Sequence, residues 1–268
     1  MFLERILLIL FFLTAPAAGL SYAQVHLDKA KVRFDAAPGE TISDKLVISN
    51  TSDEEVRIDA YWEDFAYQPP YDGDKKFFPL GTAGDSLDGW VSYSPQQFTI
   101  PPKSSRDVSY TIRVPPGARG GRYGVLFFEK YDPSAVTATG VKIITRMGCL
   151  FFVESTDSSR ESDFGNISIE PHSLRGEFIN QGNVISIPNG VYYVMGDDGL
   201  VADRGEVGKV YVPPGGKAEV VMKLSESLAP GKYSAVITFD FEANTVLVRE
   251  VDFEKSALGD YSILNVRN

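Results

Sequence analysis

The sequence has 268 residues and a formal net charge of −10 at neutral pH. This length allows two domains of roughly 100–150 residues each. The acidic balance argues against duplex nucleic acid as a partner, because affinity for DNA comes mostly from Lys and Arg contacts to phosphate. It also gives no attraction to anionic lipid surfaces.

The N-terminus has the features of a secretory signal peptide, predicted over residues 1–23. Residues 6–13 form an unbroken apolar run. Ser21 and Ala23 place small residues at the −3 and −1 positions of a cleavage site before Gln24. The alternative is an uncleaved membrane anchor, which the shortness of the apolar run disfavours. We therefore expect an exported mature protein with no stable membrane insertion.

Strand patterns fill the rest of the chain, and no helical periodicity of useful length occurs. Alternating or continuous apolar segments are separated by turns at the spacing of a β-sandwich. The polar, serine-rich residues 156–164 are predicted to be a linker. We predict an all-β protein of two tandem immunoglobulin-like β-sandwich domains, at 24–155 and 165–256, followed by a C-terminal tail at 257–268.

An internal repeat supports two similar domains. Residues 100–129 and 212–242 both contain a β-branched residue, Pro-Pro, an alternating strand, a turn, and Gly-basic-Tyr before a second apolar strand. Pro-Pro marks the entry to a strand, because proline cannot donate to a central ladder. In immunoglobulin-like domains, a Tyr near the start of strand F hydrogen-bonds back to the backbone as a corner. Tyr123 and Tyr233 are predicted to form this corner.

Residues suited to catalysis or metal binding are few and scattered. His26 and His172 have no nucleophile at a spacing that suggests a triad. Together with Cys149, the only cysteine, they do not give zinc-ligand spacing. The acidic turns at 72–74 and 197–199 fit hairpin turns better than calcium loops. We predict no enzymatic activity, no metal and no cofactor.

The segment VHLDKAKVRFDAAPGETISDKLVISNTSDEEVRIDAYWED, residues 25–64, resembles the opening of periplasmic pilus-assembly chaperones. The order of two immunoglobulin-like domains after a signal peptide also matches. The resemblance implies a periplasmic, chaperone-like protein that captures another exported protein, such as a pilus or surface subunit, by β-strand addition. Residues 38–52 are also similar to surface-protein-binding immunoglobulin-like domains of Gram-positive bacteria.

The resemblance implies a partner-binding strand. In that family, strand G of the first domain lends alternating apolar side chains to a client that lacks its last strand. The matching strand here is GVKIITRMGCLFF. The side chains that share one of its faces are the predicted partner contacts, namely Val141, Ile143, Thr145 and Met147.

The resemblance also implies a site for the terminal carboxylate of the client, held by two basic residues in the cleft between the domains. Lys31 occupies the first of these positions, as Lys where Arg is usual in the family. Lysine lacks the planar, bidentate fork of arginine. The second position falls near Cys149 or Leu150, and Arg146 is the nearest cation on that strand.

Two alternatives stay open. The strand at 141–147 could be an ordinary sandwich strand packed on its own core, because alternation alone does not say which face is covered. The protein could also be a structural or adhesive spacer module at the cell surface or outside the cell. A spacer is expected to protect its edge strands with charge or proline. The only charges in this strand, Lys142 and Arg146, share one face, which favours binding.

Overall fold

The computed structural model describes residues 25–131, 144–241 and 245–268, and the predicted signal peptide lies outside them. Every regular secondary-structure element assigned in these ranges is a β-strand. The first domain contains β1 Val25–Leu27, β2 Lys31–Ala36, β3 Thr41–Asn50, β4 Val56–Tyr67, β5 Lys75–Pro79, β6 Val91–Ser94, β7 Gln97–Ile100, β8 Ser105–Arg113, β9 Gly121–Lys130 and β10 Arg146–Ser155. The second contains β11 Ser162–Glu170, β12 Ser173–Asn180, β13 Asn189–Gly196, β14 Val201–Val207, β15 Lys217–Lys223, β16 Gly231–Asp240, β17 Val246–Lys255 and β18 Tyr261–Arg267.

The first domain is a sandwich of two sheets. One sheet has the order β1-β3-β8-β6, and the other has the order β2-β10-β9-β4-β5, with β7 also paired to β4. The chain changes sheets between β1 and β2, so that β2 pairs with β10 in parallel. The inward faces of both sheets form one core, which includes Leu46, Ile48, Phe128 and Phe151. This alternation of buried and exposed residues is what the sequence pattern predicts.

The second domain repeats this architecture with a three-stranded sheet, β11-β12-β15, and a five-stranded sheet, β14-β13-β16-β17-β18. Its core includes Phe164, Phe178, Phe239 and Phe253. The predicted C-terminal tail contains β18, which pairs with β17 at the end of the larger sheet. In the described ranges no helix has the length and apolar character needed to cross a membrane.

Buried asparagines bind the Pro-Pro elements of the repeat in both domains. The Asn50 amide, at the end of β3, donates to the carbonyls of Ile100 and Pro101, each at 3.1 Å. The Asn180 amide, at the end of β12, donates to the carbonyl of Val212 at 2.8 Å. The two copies of the repeat therefore make equivalent tertiary contacts, each within its own domain, in addition to having the same sequence pattern.

The two tyrosines of the repeat have different partners. The Tyr233 hydroxyl donates to the carbonyl of Ala229 at 2.7 Å, which confirms the predicted corner in the second domain. The Tyr123 hydroxyl instead accepts a hydrogen bond from the backbone N–H of Ile185 in the other domain, at 2.8 Å. The corner predicted for Tyr123 is wrong, because its ring lies on the outer face of β9, which the second domain covers.

A third apolar cluster joins the two domains. Tyr67 stacks on Tyr211 with ring centroids 4.7 Å apart, and the N–H of Tyr211 donates to the carbonyl of Tyr71 at 2.8 Å. Together with the bond between Tyr123 and Ile185, these contacts set the angle between the domains. The buried members of the cluster are Phe65, Tyr67, Tyr123, Val125, Phe127, Phe152 and Ile185.

Candidate functional site: the outer edge of β10 and the interdomain cleft

The outer edge of β10 is only partly covered. On one side, β10 pairs with β9 along Arg146–Glu154. On the other side, β2 pairs only with Leu150–Ser155. Among the described residues, no strand pairs with the outer side of residues 146–149. We call these four residues the open edge.

The backbone groups of the open edge alternate between the two sides. The Thr145 carbonyl accepts a hydrogen bond from the N–H of Lys130 at 3.2 Å, so this residue faces β9. The Leu150 N–H donates at 2.9 Å to the carbonyl of Ala30, which precedes β2, so Leu150 directs its backbone groups outward. The backbone groups of successive residues in a strand point to alternate sides. Arg146 and Gly148 therefore direct their N–H and C=O groups to the same side as Leu150, which is the outward side. These outward groups have no partner strand among the described residues.

The side chains of β10 divide between two faces. Met147 and Cys149 pack on the core of the first domain, and Thr145, on the same face by alternation, is exposed. Burial raises the pKa of the Cys149 thiol to about 12. The other two predicted contacts, Val141 and Ile143, lie outside the described residues. On this face the structure thus shows Met147 packed on its own domain and Thr145 exposed, and Val141 and Ile143 remain predictions.

Arg146 is held on the opposite face of the sheet by its own domain. Its guanidinium lies over the ring of Phe127, 4.0 Å from the centroid, and 5.2 Å from that of Phe77. It donates to the Tyr61 hydroxyl at 3.3 Å and forms an ion pair with Glu63 at 3.4 Å. These contacts anchor Arg146, the first residue of β10 and of the open edge.

The cleft between the domains is lined mainly by cations and apolar side chains. Lys31 begins β2, at the position in register with Leu150, the residue that follows the open edge. The cleft contains a cavity of about 90 Å³. Its lining residues are Lys31, Arg33, Arg160, Ile185, Ile187, Asn189, Lys209 and Phe241.

A buried carboxylate organises two of these cations. Glu154, near the end of β10, is fully buried. It forms an ion pair with Arg160 of the linker, and its other oxygen lies 3.9 Å from Arg33. Lys31 lies 5.8 Å from the ring centroid of Phe152. Glu154 therefore holds the linker against the first domain and neutralises part of the cleft.

The structure separates the two cations that the sequence analysis associated with a carboxylate. Lys31 lines the cleft, as expected. Arg146 is eight residues from Glu154 along β10, a distance of roughly 26 Å at 3.3 Å per residue, and does not line the cavity. The cations that join Lys31 there are Arg33, Arg160 and Lys209. No sequence spacing indicated the last two, which come from the linker and from the connection between β14 and β15.

Solved structures share this architecture. The class 5 fimbriae chaperone CfaA aligns with a TM-score of 0.53 and 13% identity, over 84% of this chain and 97% of that one. The chain has the fold of periplasmic pilus chaperones. A chain from the structure described as a chaperone–tip adhesin complex of CFA/I fimbriae biogenesis gives a TM-score of 0.53 and 14% identity, over 84% and 97% of the two chains. These matches confirm the predicted pair of immunoglobulin-like sandwiches.

A further solved structure, the CupB2 chaperone of Pseudomonas aeruginosa, aligns with a TM-score of 0.44 and 14% identity, over 90% of this chain and 98% of that one. No protein-family model and no curated protein sequence matches the chain.

In the described part of the chain, no group of three or more His, Cys, Asp or Glu side chains is arranged to hold a metal ion.

Proposed function

We propose that this protein is an exported, chaperone-like binder that captures another exported protein by β-strand addition at the open edge. The observation that carries the proposal is the half-covered state of β10, which presents outward N–H and C=O groups at Arg146 and Gly148. The shared fold with fimbrial chaperones supports it. The client would be a pilus or surface subunit, and the place of capture would be the periplasm.

The position of Lys31 links the open edge to the cleft. A client strand that pairs with residues 146–149 reaches its end where β2 begins, because Lys31 is in register with Leu150. A terminal carboxylate at Lys31 thus requires the client strand to run parallel to β10, in line with β2. Lysine offers this carboxylate a point charge and not a bidentate fork.

The side chains at Val141, Ile143 and Thr145 are proposed to fill the space that the client lacks, whereas Met147, on the same face, packs on the core of its own domain and is proposed to support the strand. Backbone hydrogen bonds would supply affinity, and alternate side chains would supply specificity. Arg146 is proposed to act as a positioning residue, because its contacts with Phe127 and Glu63 hold the start of β10.

The test uses a matched pair of variants at the first residue of β10. Arg146→Pro and Arg146→Gln both lose the guanidinium, but only proline also loses the outward N–H. Proline is tolerated at the first residue of a strand. Tagged mature protein would be purified from its native envelope with its partners, which mass spectrometry would identify and quantify. A third variant, Val141→Glu/Ile143→Glu, tests the predicted side chains.

We expect one exported partner whose yield falls with Arg146→Gln, which loses the positioning contacts, and which is lost with Arg146→Pro and with the double glutamate variant, with all variants folded by circular dichroism. If Arg146→Pro and Arg146→Gln retain the partner equally, strand addition at the open edge is wrong. If no partner is enriched at all, the spacer function takes the place of this proposal.

A further inference from the structure

The cations of the cleft come from both domains. Lys31 and Arg33 belong to β2 of the first domain, whereas Arg160 lies in the linker and Lys209 lies in the second domain, between β14 and β15. Such a concentration of positive charge stands out in a protein with a net charge of −10. A focused potential of this kind attracts anions to one place on an otherwise repulsive surface.

The two lysines differ from the two arginines in their partners. Arg33 and Arg160 both face the buried carboxylate of Glu154. Lys209 is exposed and makes no ion pair or hydrogen bond with the described residues. Lys31 lies near the ring of Phe152. Two ammonium groups, one on each wall, are therefore available to a ligand.

We infer, on the basis of the proposed function, that the C-terminal segment of the client is acidic. Its terminal carboxylate would meet Lys31, and a carboxylate side chain within its last few residues would meet Lys209, beside Arg160. A single terminal carboxylate would leave Lys209 without an anion. Because the rest of the surface repels acidic chains, a second negative charge would also favour the orientation in which the tail enters the cleft.

The apolar part of the lining fits the same ligand. Ile185 and Phe241 are buried, and Ile187 is partly buried. The cavity of about 90 Å³ has the volume of roughly three water molecules. It can take a carboxylate and a few methyl groups, so that the acidic side chain would lie towards the rim, where Lys209 is exposed.

The test compares three acetylated pentapeptides: all-alanine with a free C-terminus, the same peptide with Asp two residues before its end, and the all-alanine peptide with an amidated C-terminus. Binding to the isotope-labelled mature protein would be measured by NMR titration at low ionic strength. Variants would be Lys31→Gln, Lys209→Gln and, as a matched control, Lys232→Gln at the far end of β16 from the cleft.

We expect the Asp peptide to bind about two- to fivefold more tightly than the all-alanine acid, the range for one partly exposed ion pair. Lys209→Gln should remove this advantage, and Lys232→Gln should keep it. If the all-alanine acid binds through Lys31 but Asp adds nothing, or if the advantage survives Lys209→Gln, the acidic-tail inference is overturned and the carboxylate site stands.

Two other outcomes concern the proposed function itself. If amidation and Lys31→Gln change nothing, the carboxylate site at Lys31 is wrong, whatever Asp does. If no peptide binds at millimolar concentration, both the carboxylate site and the acidic-tail inference are overturned. Strand addition is then judged by the Arg146→Pro and Arg146→Gln pair alone.

Discussion

Replacing Tyr123 by Phe tests whether one hydrogen bond couples the two domains. The substitution removes only the hydroxyl that accepts the N–H of Ile185 at 2.8 Å. The ring keeps its contacts with Phe65 and Phe152 in the interdomain cluster. Burial and the surrounding carboxylates raise the pKa of Tyr123, so the hydroxyl stays neutral at all ordinary pH values.

The expected loss follows from the burial of the bond. A buried N–H left without a partner costs about 1–3 kcal/mol. Ile185 is buried, so no water is expected to replace the hydroxyl. In a protein of this size, each kcal/mol lowers Tm by roughly 2–4 °C. Tyr233→Phe is the matched control, because its hydroxyl bonds to Ala229 within one domain and near solvent.

Urea unfolding and native-state hydrogen exchange would measure the effect. We expect Tyr123→Phe to lower the urea midpoint and to speed exchange at the Ile185 amide, while Tyr233→Phe leaves that amide protected. Unchanged exchange at Ile185 in the Tyr123→Phe variant would refute the idea that this bond couples the domains. The stacking of Tyr67 on Tyr211 would then carry the coupling.

Three further predictions concern packing and the thiol. Gly124→Ala should destabilise by about 1–3 kcal/mol in thermal unfolding, because a Cβ there would overlap the indole of Trp62, whereas Gly117→Ala, with open space around it, should not. Cys149 should resist a thiol reagent at pH 8 when folded and react in urea. The pKa of this thiol is about 12 in the folded protein, above the ordinary 9.0. The stability that comes from burying the neutral thiol should therefore be complete below pH 9 and be lost as pH rises towards 12. Deleting residues 261–268 should destabilise the second domain by about 1.5 kcal/mol or more in urea unfolding, because Ile263 pairs with Phe253.

Periodicity predicted the fold well, because each domain buries one face of every sheet and the alternation shows in the sequence. It could not predict what covers the second face. The strand β9 has a nearly continuous apolar sequence, which is typical of a strand buried on both faces. That feature is a signal for a cover over Tyr123, Val125 and Phe127, which the corner predicted for Tyr123 overlooked, and a strand pattern alone could not identify the second domain as the cover.

Of the four cations that line the cleft, the sequence predicted only Lys31. Lys31 could be placed by its position in the first strand, through the resemblance. Arg160 and Lys209 reach the cleft because the linker turns back on Glu154 and because the second domain docks at one angle. Both causes are tertiary, so no spacing rule could pair them with Lys31. The contact between Arg146 and the ring of Phe127 is also tertiary, because Phe127 belongs to another strand. The sequence therefore could not show that Arg146 packs on aromatic rings.

The different fates of the two repeat tyrosines bear on how the protein would bind a client. Tyr233 secures a turn inside its own domain, whereas the equivalent Tyr123 secures the second domain against the first. The second contact holds the cavity wall that carries Lys209 opposite the one that carries Lys31. A cleft that is assembled before the client arrives loses less conformational entropy on binding. Under the proposed function, Tyr123→Phe should therefore weaken capture of the client as well as stability, and it should do so without removing any group that is proposed to touch the client.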